Sequence, residues 1–156
     1  MTEISPQLDN SLSESLAGRL DQGVHILPVR VYYEDTDAGG IVYYANYLKY
    51  LERGRSDMLR LLGVDQMGML AFEQDDDVQF VVRRAEVDYI SPARLDEVLT
   101  VRTVIEKAGG ASLIMGQKIY RGEDLLVSAV IKAGVLGKAG RPVRLPEKIK
   151  KLIEHI

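Results

Sequence analysis

The chain contains no cysteine. That absence removes disulfides, thiolate zinc sites and a cysteine nucleophile together, and it fits a reducing, cytoplasmic setting. Tryptophan is missing too, which by itself excludes nothing. There are two histidines, His25 and His155. Both lie near the ends and outside any motif, so they read as exposed or tail residues rather than catalytic ones. No G-x-S-x-G stretch occurs, so a serine elbow of the α/β-hydrolase type has no support, and Ser112 reads as a strand residue after a hairpin. The glycine pairs at 39–40 and 109–110 form neither G-x-G-x-x-G nor a phosphate-binding P-loop. No apolar run approaches the roughly 20 residues that cross a bilayer. The first residues are polar and acidic, so neither a membrane span nor a secretory signal is expected. Positive charge is also short: the formal net charge is −3 and the pI about 5.4, against nucleic-acid binding as a main role.

What is present is enough for one domain with a real core, in 156 residues. Residues 1–24, rich in Ser, Asp, Glu and Gln, read as a flexible extension, with Ser11–Leu20 able to form a turn or two of helix. The folded domain is expected to span 25–156. Its organising stretch is Val29–Gly63. Leu27–Tyr33 carries β-branched and aromatic residues suited to a strand. Asp35 and Asp37 then flank Thr36, and Gly39-Gly40 permits a sharp turn. From about Tyr43 the period changes. Tyr47, Leu48, Leu51, Met58, Leu59 and Leu62 recur at helical spacing, and Gly63 ends the run.

A carboxylate loop thus feeds directly into a helix N-terminus. Such a terminus exposes unpaired N–H groups with partial positive character, which can polarise a carbonyl oxygen. A nearby carboxylate could attack the carbonyl carbon or deprotonate water. The residues alone do not choose between Asp35 and Asp37, and either could serve as a turn or cap residue.

Val64–Asp77 reads as a loop with a weak apolar patch, and Asp75-Asp76-Asp77 as a solvated turn. After it come four long strands, Val78–Ile90, Glu97–Lys107, Ala111–Tyr120 and Leu125–Leu136, separated by turn residues. The phase of the first blurs at Arg83-Arg84, as at a bulge. A short helix from Pro146 to Ile156 closes the chain. Alternating strands bury one face, and only the 45–62 helix is long enough to cover it. The fold class expected is α+β: a hotdog fold, with an antiparallel sheet of about five strands around one central helix. Gly54 would mark the closest approach of helix and sheet. Tyr47, Leu51, Met58 and Leu62 would face the sheet, and Lys49, Glu52, Arg53 and Arg60 the solvent.

Glu34–Tyr47 (EDTDAGGIVYYANY) resembles the signature of the 4-hydroxybenzoyl-CoA thioesterase family, as do Leu48–Arg55, Tyr89–Asp96 and Gly140–Pro146. The similarity runs from about Val29 to Leu152. It is strongest to the YbgC-type branch of acyl-CoA thioesterases encoded beside the Tol-Pal cell-envelope genes. The resemblance implies a hotdog subunit paired through its sheet, and a homotetramer made of two such dimers. It implies hydrolysis of acyl-CoA to free acid and CoA, with no metal or redox cofactor, coenzyme A being part of the substrate. It places the catalytic carboxylate on Asp37 and the carbonyl-polarising amide on Tyr44, at the first turn of the helix. Gly39, Gly40, Val42, Tyr43 and Asn46 would then surround the substrate. The location implied is cytoplasmic, extending to the inner face of the membrane. Many branch members carry histidine where this chain has Tyr44. A backbone N–H is indifferent to that change, but any acid–base part would fall to a phenol with an ordinary pKa near 10. Arg83, Arg84, Arg94, Lys107 and Lys118 are candidates for contact with CoA phosphates or for solvated strand faces. Two other readings are a non-catalytic hotdog scaffold that binds acyl groups or envelope-biogenesis partners, and a thioesterase acting on acyl-carrier protein.

Overall fold

The computed structural model describes residues 16–156. The sheet starts with a hairpin, β1 (Arg19–Asp21) and β2 (Val24–Arg30). Gln22 and Gly23 take φ of 48° and 80°, the double left-handed turn that matches the twist of a two-residue hairpin. The sheet therefore takes in residues that the sequence assigned to the extension. The helical turns expected within 11–20 fall partly outside the described residues, and Arg19 and Leu20 are strand. The strand expected to reach Tyr33 also stops early. The ladder ends after Val31, whose N–H donates to Glu97 O at 2.9 Å. Tyr33–Asp35 then forms a single 3-10 turn, because the Asp35 carboxylate accepts the Tyr32 N–H at 2.8 Å.

Four long strands follow: β3 (Gln79–Tyr89), β4 (Val98–Gly109), β5 (Ser112–Arg121) and β6 (Asp124–Leu136). With the hairpin they make a six-stranded antiparallel sheet in the order β1-β2-β4-β5-β6-β3. The register of β3 against β6 shifts between Val82 and Arg84, the bulge expected there. In this sheet β3 pairs only with β6, so its other edge carries no strand among the described residues.

The central helix α1 (Asn46–Leu61) lies on the concave face. Its buried positions include Tyr47, Tyr50, Leu51, Met58 and Leu59, whereas Lys49, Glu52, Arg53 and Arg60 are exposed. That division is the amphipathic one read from the sequence. A short helix α2 (Gln66–Met69) follows, its Gly68 N–H caught by Asp65. A C-terminal helix α3 (Glu147–Glu154) starts after Pro146 and buries Ile149 and Ile153. The Asp75–Asp77 run is not merely a solvated turn. Asp77 is buried and accepts Gln74 N–H at 2.9 Å, while Asp76 meets Lys148 Nζ at 2.9 Å and ties the turn to α3. One helix inside a curved antiparallel sheet is the hotdog arrangement.

Gly54 is where helix and sheet meet. A Cβ there would stand 2.8 Å from Val101 Cγ1 and 3.1 Å from Thr103 Oγ1. Alanine favours a helix interior over glycine by about 1 kcal/mol, but overpacking a core costs about 1–3 kcal/mol. Gly54→Ala is therefore expected to lower stability by up to about 2 kcal/mol, read as a reduced urea midpoint at unchanged slope.

His25 corrects its sequence reading. It is fully buried in β2, its Nε2 is 2.6 Å from Asp57 Oδ2, and the same oxygen accepts Gly18 N–H at 2.8 Å. No periodicity argument marked Asp57 as an inward position. Its partner comes from a strand 32 residues away.

Candidate active site

The segment between β2 and α1 is held by backbone bonds at both ends of a small hairpin. Asp37 N–H donates to Ile41 O at 2.9 Å and Gly40 N–H to Asp37 O at 3.0 Å. Gly40 has φ of 75°, so a side chain there would strain the turn. Val42 N–H donates to Ala93 O at 2.9 Å, and Ile41 bridges to Arg94, which docks the hairpin on the Ser91–Arg94 stretch after β3.

Geometry separates the two aspartates. Asp35 is buried and serves the loop. Its carboxylate holds Tyr32, and its carbonyl accepts Tyr43 N–H and Asn46 Nδ2, both at 2.9 Å. Tyr50 is packed beneath it. Burial first, and the Asp35 carboxylate second, push the Tyr50 hydroxyl well above the ordinary phenol value. Asp37 is exposed. One carboxylate oxygen accepts Gly39 N–H at 2.8 Å, and the other accepts no hydrogen bond among the described residues.

Tyr44 lies slightly earlier than the resemblance implied. It sits in the turn closed by Asn46 N–H to Tyr43 O at 2.8 Å, ahead of Ala45, the cap residue of α1. The Tyr44 N–H has no acceptor among the described residues. It lies just ahead of the positive end of a 16-residue helix.

The remaining expected contacts divide. Gly39, Gly40 and Tyr43 are exposed around the carboxylate. Val42 is not available to a ligand: it is 3% exposed and belongs to the core with Leu51 and Val101. Asn46 spends its side-chain amide on Asp35 O, so it braces the loop. Of the candidate phosphate contacts, Arg84 pairs with Glu86 and Arg83 lies across Gly134.

Sequence reasoning did not assign Tyr89 to the site. Its ring meets Tyr44 edge-on at 5.8 Å and Tyr47 at 5.8 Å, and Tyr43 packs on Tyr44 at 5.0 Å. Burial, then Tyr44, raise the Tyr89 hydroxyl above its ordinary value. The signal available was the bulge, which fixes the phase of β3 and turns Tyr89 toward the start of the helix. A cavity of about 490 Å³ lined by Val64, Asp77, Lys148 and Leu152 lies at the opposite end of α1. A helix of this length puts about 24 Å between its two ends, which separates that cavity from Tyr44.

The site and fold together define a protein of the thioester-hydrolase class. The sequence profile of the thioesterase superfamily matches residues 39–128, and the chain belongs to that family. It is 40% identical over 139 residues to the acyl-CoA thioesterase YbgC of Haemophilus influenzae, covering 88% of this chain and 98% of that one. A probable thioesterase from Bartonella henselae superposes with a TM-score of 0.75 at 39% identity, over 79% of this chain and 99% of that chain. The structure of a 4-hydroxybenzoyl-CoA thioesterase, solved with 4-hydroxybenzoyl-CoA, superposes with a TM-score of 0.77. At 19% identity, over 84% of this chain and 99% of that one, it shows a shared fold.

Proposed function

We propose that this protein hydrolyses acyl-CoA thioesters to the free acid and CoA, with Asp37 and the Tyr44 amide as its working groups. The observation that carries the reading is the pairing, at one joint, of a carboxylate with one oxygen uncommitted and an N–H ahead of the helix with no acceptor, both among the described residues. The relatives named above supply the substrate class.

The thioester carbonyl oxygen accepts the Tyr44 N–H, which favours the negative charge that develops there. Two routes use the same atoms. In one, an Asp37 oxygen attacks the acyl carbon, the C–S bond breaks, CoA leaves as thiolate and takes a proton from solvent, and water then hydrolyses the acyl–aspartyl anhydride. In the other, Asp37 takes a proton from water as that water attacks, then releases the proton as CoA departs. Tyr43, Tyr44 and Tyr89 form the wall beside the reacting carbon, and Gly39 and Gly40 let the substrate approach the backbone.

The finer points of the reading follow from the family resemblance. The open edge of β3 is the place for a second copy to extend the sheet, and two such dimers would make the tetramer. Acyl-carrier-protein thioesters are the alternative substrate, and a role beside the Tol-Pal system in the cytoplasm is the setting. No helix among the described residues is long and apolar enough to cross a membrane.

A panel of short-chain, long-chain and aromatic acyl-CoAs, assayed beside acyl-carrier-protein thioesters, tests the function. Turnover of at least one acyl-CoA class with free CoA as product is the expected result. Preference for the carrier-protein thioesters would move the substrate, and no turnover across the panel would leave the scaffold reading.

A further inference from the structure

Two neighbouring residues at the start of α1 brace the active-site hairpin from opposite sides. Asn46 Nδ2 holds the entering arm at Asp35 O. Tyr47 reaches the leaving arm in two steps. Its hydroxyl accepts the Ala93 N–H at 3.0 Å, and Ala93 O accepts the Val42 N–H at 2.9 Å. Ile41, one residue earlier, bridges to Arg94, and Ile41 O accepts the Asp37 N–H at 2.9 Å. A run of hydrogen bonds and short backbone steps therefore joins the helix to Asp37.

Ala93 lies where the sheet no longer holds the chain. The ladder between β3 and β6 ends at Tyr89, and the Ile90 and Ser91 N–H groups both turn to Leu126 O. Pro92, Ala93 and Arg94 come after it. Their outer side is clamped by Arg121, which donates to Pro92 O at 3.3 Å and to Glu97 at 3.0 Å, while Glu97 accepts the Arg94 N–H at 3.2 Å. Their inner side rests on Tyr47. Tyr47 and Ala93 are 3% and 0% exposed, so loss of the hydroxyl would leave a buried N–H without a partner. Burial holds the Tyr47 hydroxyl above the ordinary phenol value, which keeps it a neutral acceptor. A side chain so enclosed acts on a substrate only through its neighbours.

We propose that Tyr47 is a positioning residue for the hydrolysis: through Ala93, its hydroxyl sets where the Asp37 hairpin stands against the start of α1. The proposal rests on the acyl-CoA hydrolase reading above, in which Asp37 meets a carbonyl held by the Tyr44 amide. Bonds within the hairpin fix its shape, and the Tyr47–Ala93–Val42 link fixes its seat. A misplacement of about 1 Å is enough to slow a reaction about a hundredfold, far beyond what one hydrogen bond contributes to stability. The Tyr47 ring packs on Tyr50 and Tyr89 at 6.1 and 5.8 Å, contacts that phenylalanine would keep.

The test is Tyr47→Phe in the full-length protein, assayed with an acyl-CoA that wild type hydrolyses. Its kcat is expected to fall about ten- to a hundredfold, with KM within about twofold of wild type. A double-mutant cycle with Asp37→Asn separates positioning from packing. Once the carboxylate is gone there is nothing left to position, and Tyr47→Phe should then cost less than about threefold. Hydrogen exchange followed by NMR gives a readout independent of activity. In Tyr47→Phe the Asp37 and Val42 amides should exchange about tenfold faster or more relative to those of β4 and β5. Replacing the amide into residue 93 by an ester deletes the same bond from its other end and should reproduce both results. An unchanged kcat in Tyr47→Phe, or one lowered by the same factor in both backgrounds, would overturn the proposal. So would exchange that accelerates equally across the sheet, the mark of a hydroxyl that serves only the core. Asp37→Asn at the wild-type rate, or a wild type inactive on every acyl-CoA, would instead overturn the hydrolase reading, and this proposal with it.

Discussion

Asp37→Asn is expected to lower kcat by about a thousandfold, within the range seen when a positioned acid–base or nucleophilic group is removed. The substitution keeps the shape of the side chain. Its amide oxygen can still accept the Gly39 N–H that orients Asp37 now, so the hairpin from Asp37 to Ile41 should stay closed. What is lost is the charge. A neutral amide neither attacks an acyl carbon with the strength of a carboxylate nor takes a proton from water. Asp35→Asn provides the contrast. That carboxylate is buried and accepts the Tyr32 N–H, so its loss should appear as a stability change of about 1 kcal/mol, with the smaller effect on rate. Steady-state kinetics paired with urea unfolding separates the two patterns. An Asp37→Asn enzyme with near wild-type kcat, or an Asp35→Asn enzyme that folds normally and loses the thousandfold instead, would reverse the roles assigned to the pair.

The second large effect belongs to a backbone atom. Replacing the amide linkage into residue 44 by an ester, through semisynthesis, deletes the N–H and weakens the Tyr43 carbonyl as acceptor of the Asn46 N–H. It is expected to reduce kcat by about 10²–10³, the scale for one oxyanion donor. Tyr44→Phe keeps the N–H and should change kcat by less than about fivefold, since 0.5–1 kcal/mol of altered ring contact corresponds to about two- to fivefold in rate. The Tyr44 ring packs edge-on against Tyr43 and Tyr89, and phenylalanine preserves both contacts. If Tyr44→Phe were the damaging change and the ester were tolerated, the phenol hydroxyl would be the chemical group and the helix-opening amide a bystander. The two results are opposite, and a single assay reads both.

Much of this site is local chemistry and could be read without coordinates. Gly39-Gly40 beside Asp37 predicts a sharp acidic turn, and Gly40 takes the left-handed φ such a turn needs. The apolar spacing from Tyr47 to Leu62 identifies the central helix, and the blurred phase at Arg83-Arg84 marks a bulge that the register contains. Gly54 is legible as a contact point because an interior glycine weakens a helix unless something presses on it, and Val101 and Thr103 do press there. The reading failed where a residue's state depends on a distant segment. Val42 looked like a loop residue free to meet substrate, yet Ala93, fifty-one positions on, accepts its N–H and the core closes over it. Asn46 looked like a ligand contact, but its amide completes the bonding of Asp35. The first strand pair began earlier than expected because Gln22-Gly23 supports a hairpin whose value lies in pairing β1 to a sheet already present.

By itself the sequence determined the element order, the apolar face of the helix and the acidic turn ahead of it, because each rests on periodicity or on the conformational freedom of nearby residues. Only the tertiary structure decided which aspartate is free to react. Asp35 and Asp37 are the same residue type two positions apart, and they differ in what the folded chain brings to each. One carboxylate is closed in beneath Tyr32 and above Tyr50, while the other is exposed with one oxygen unpartnered among the described residues.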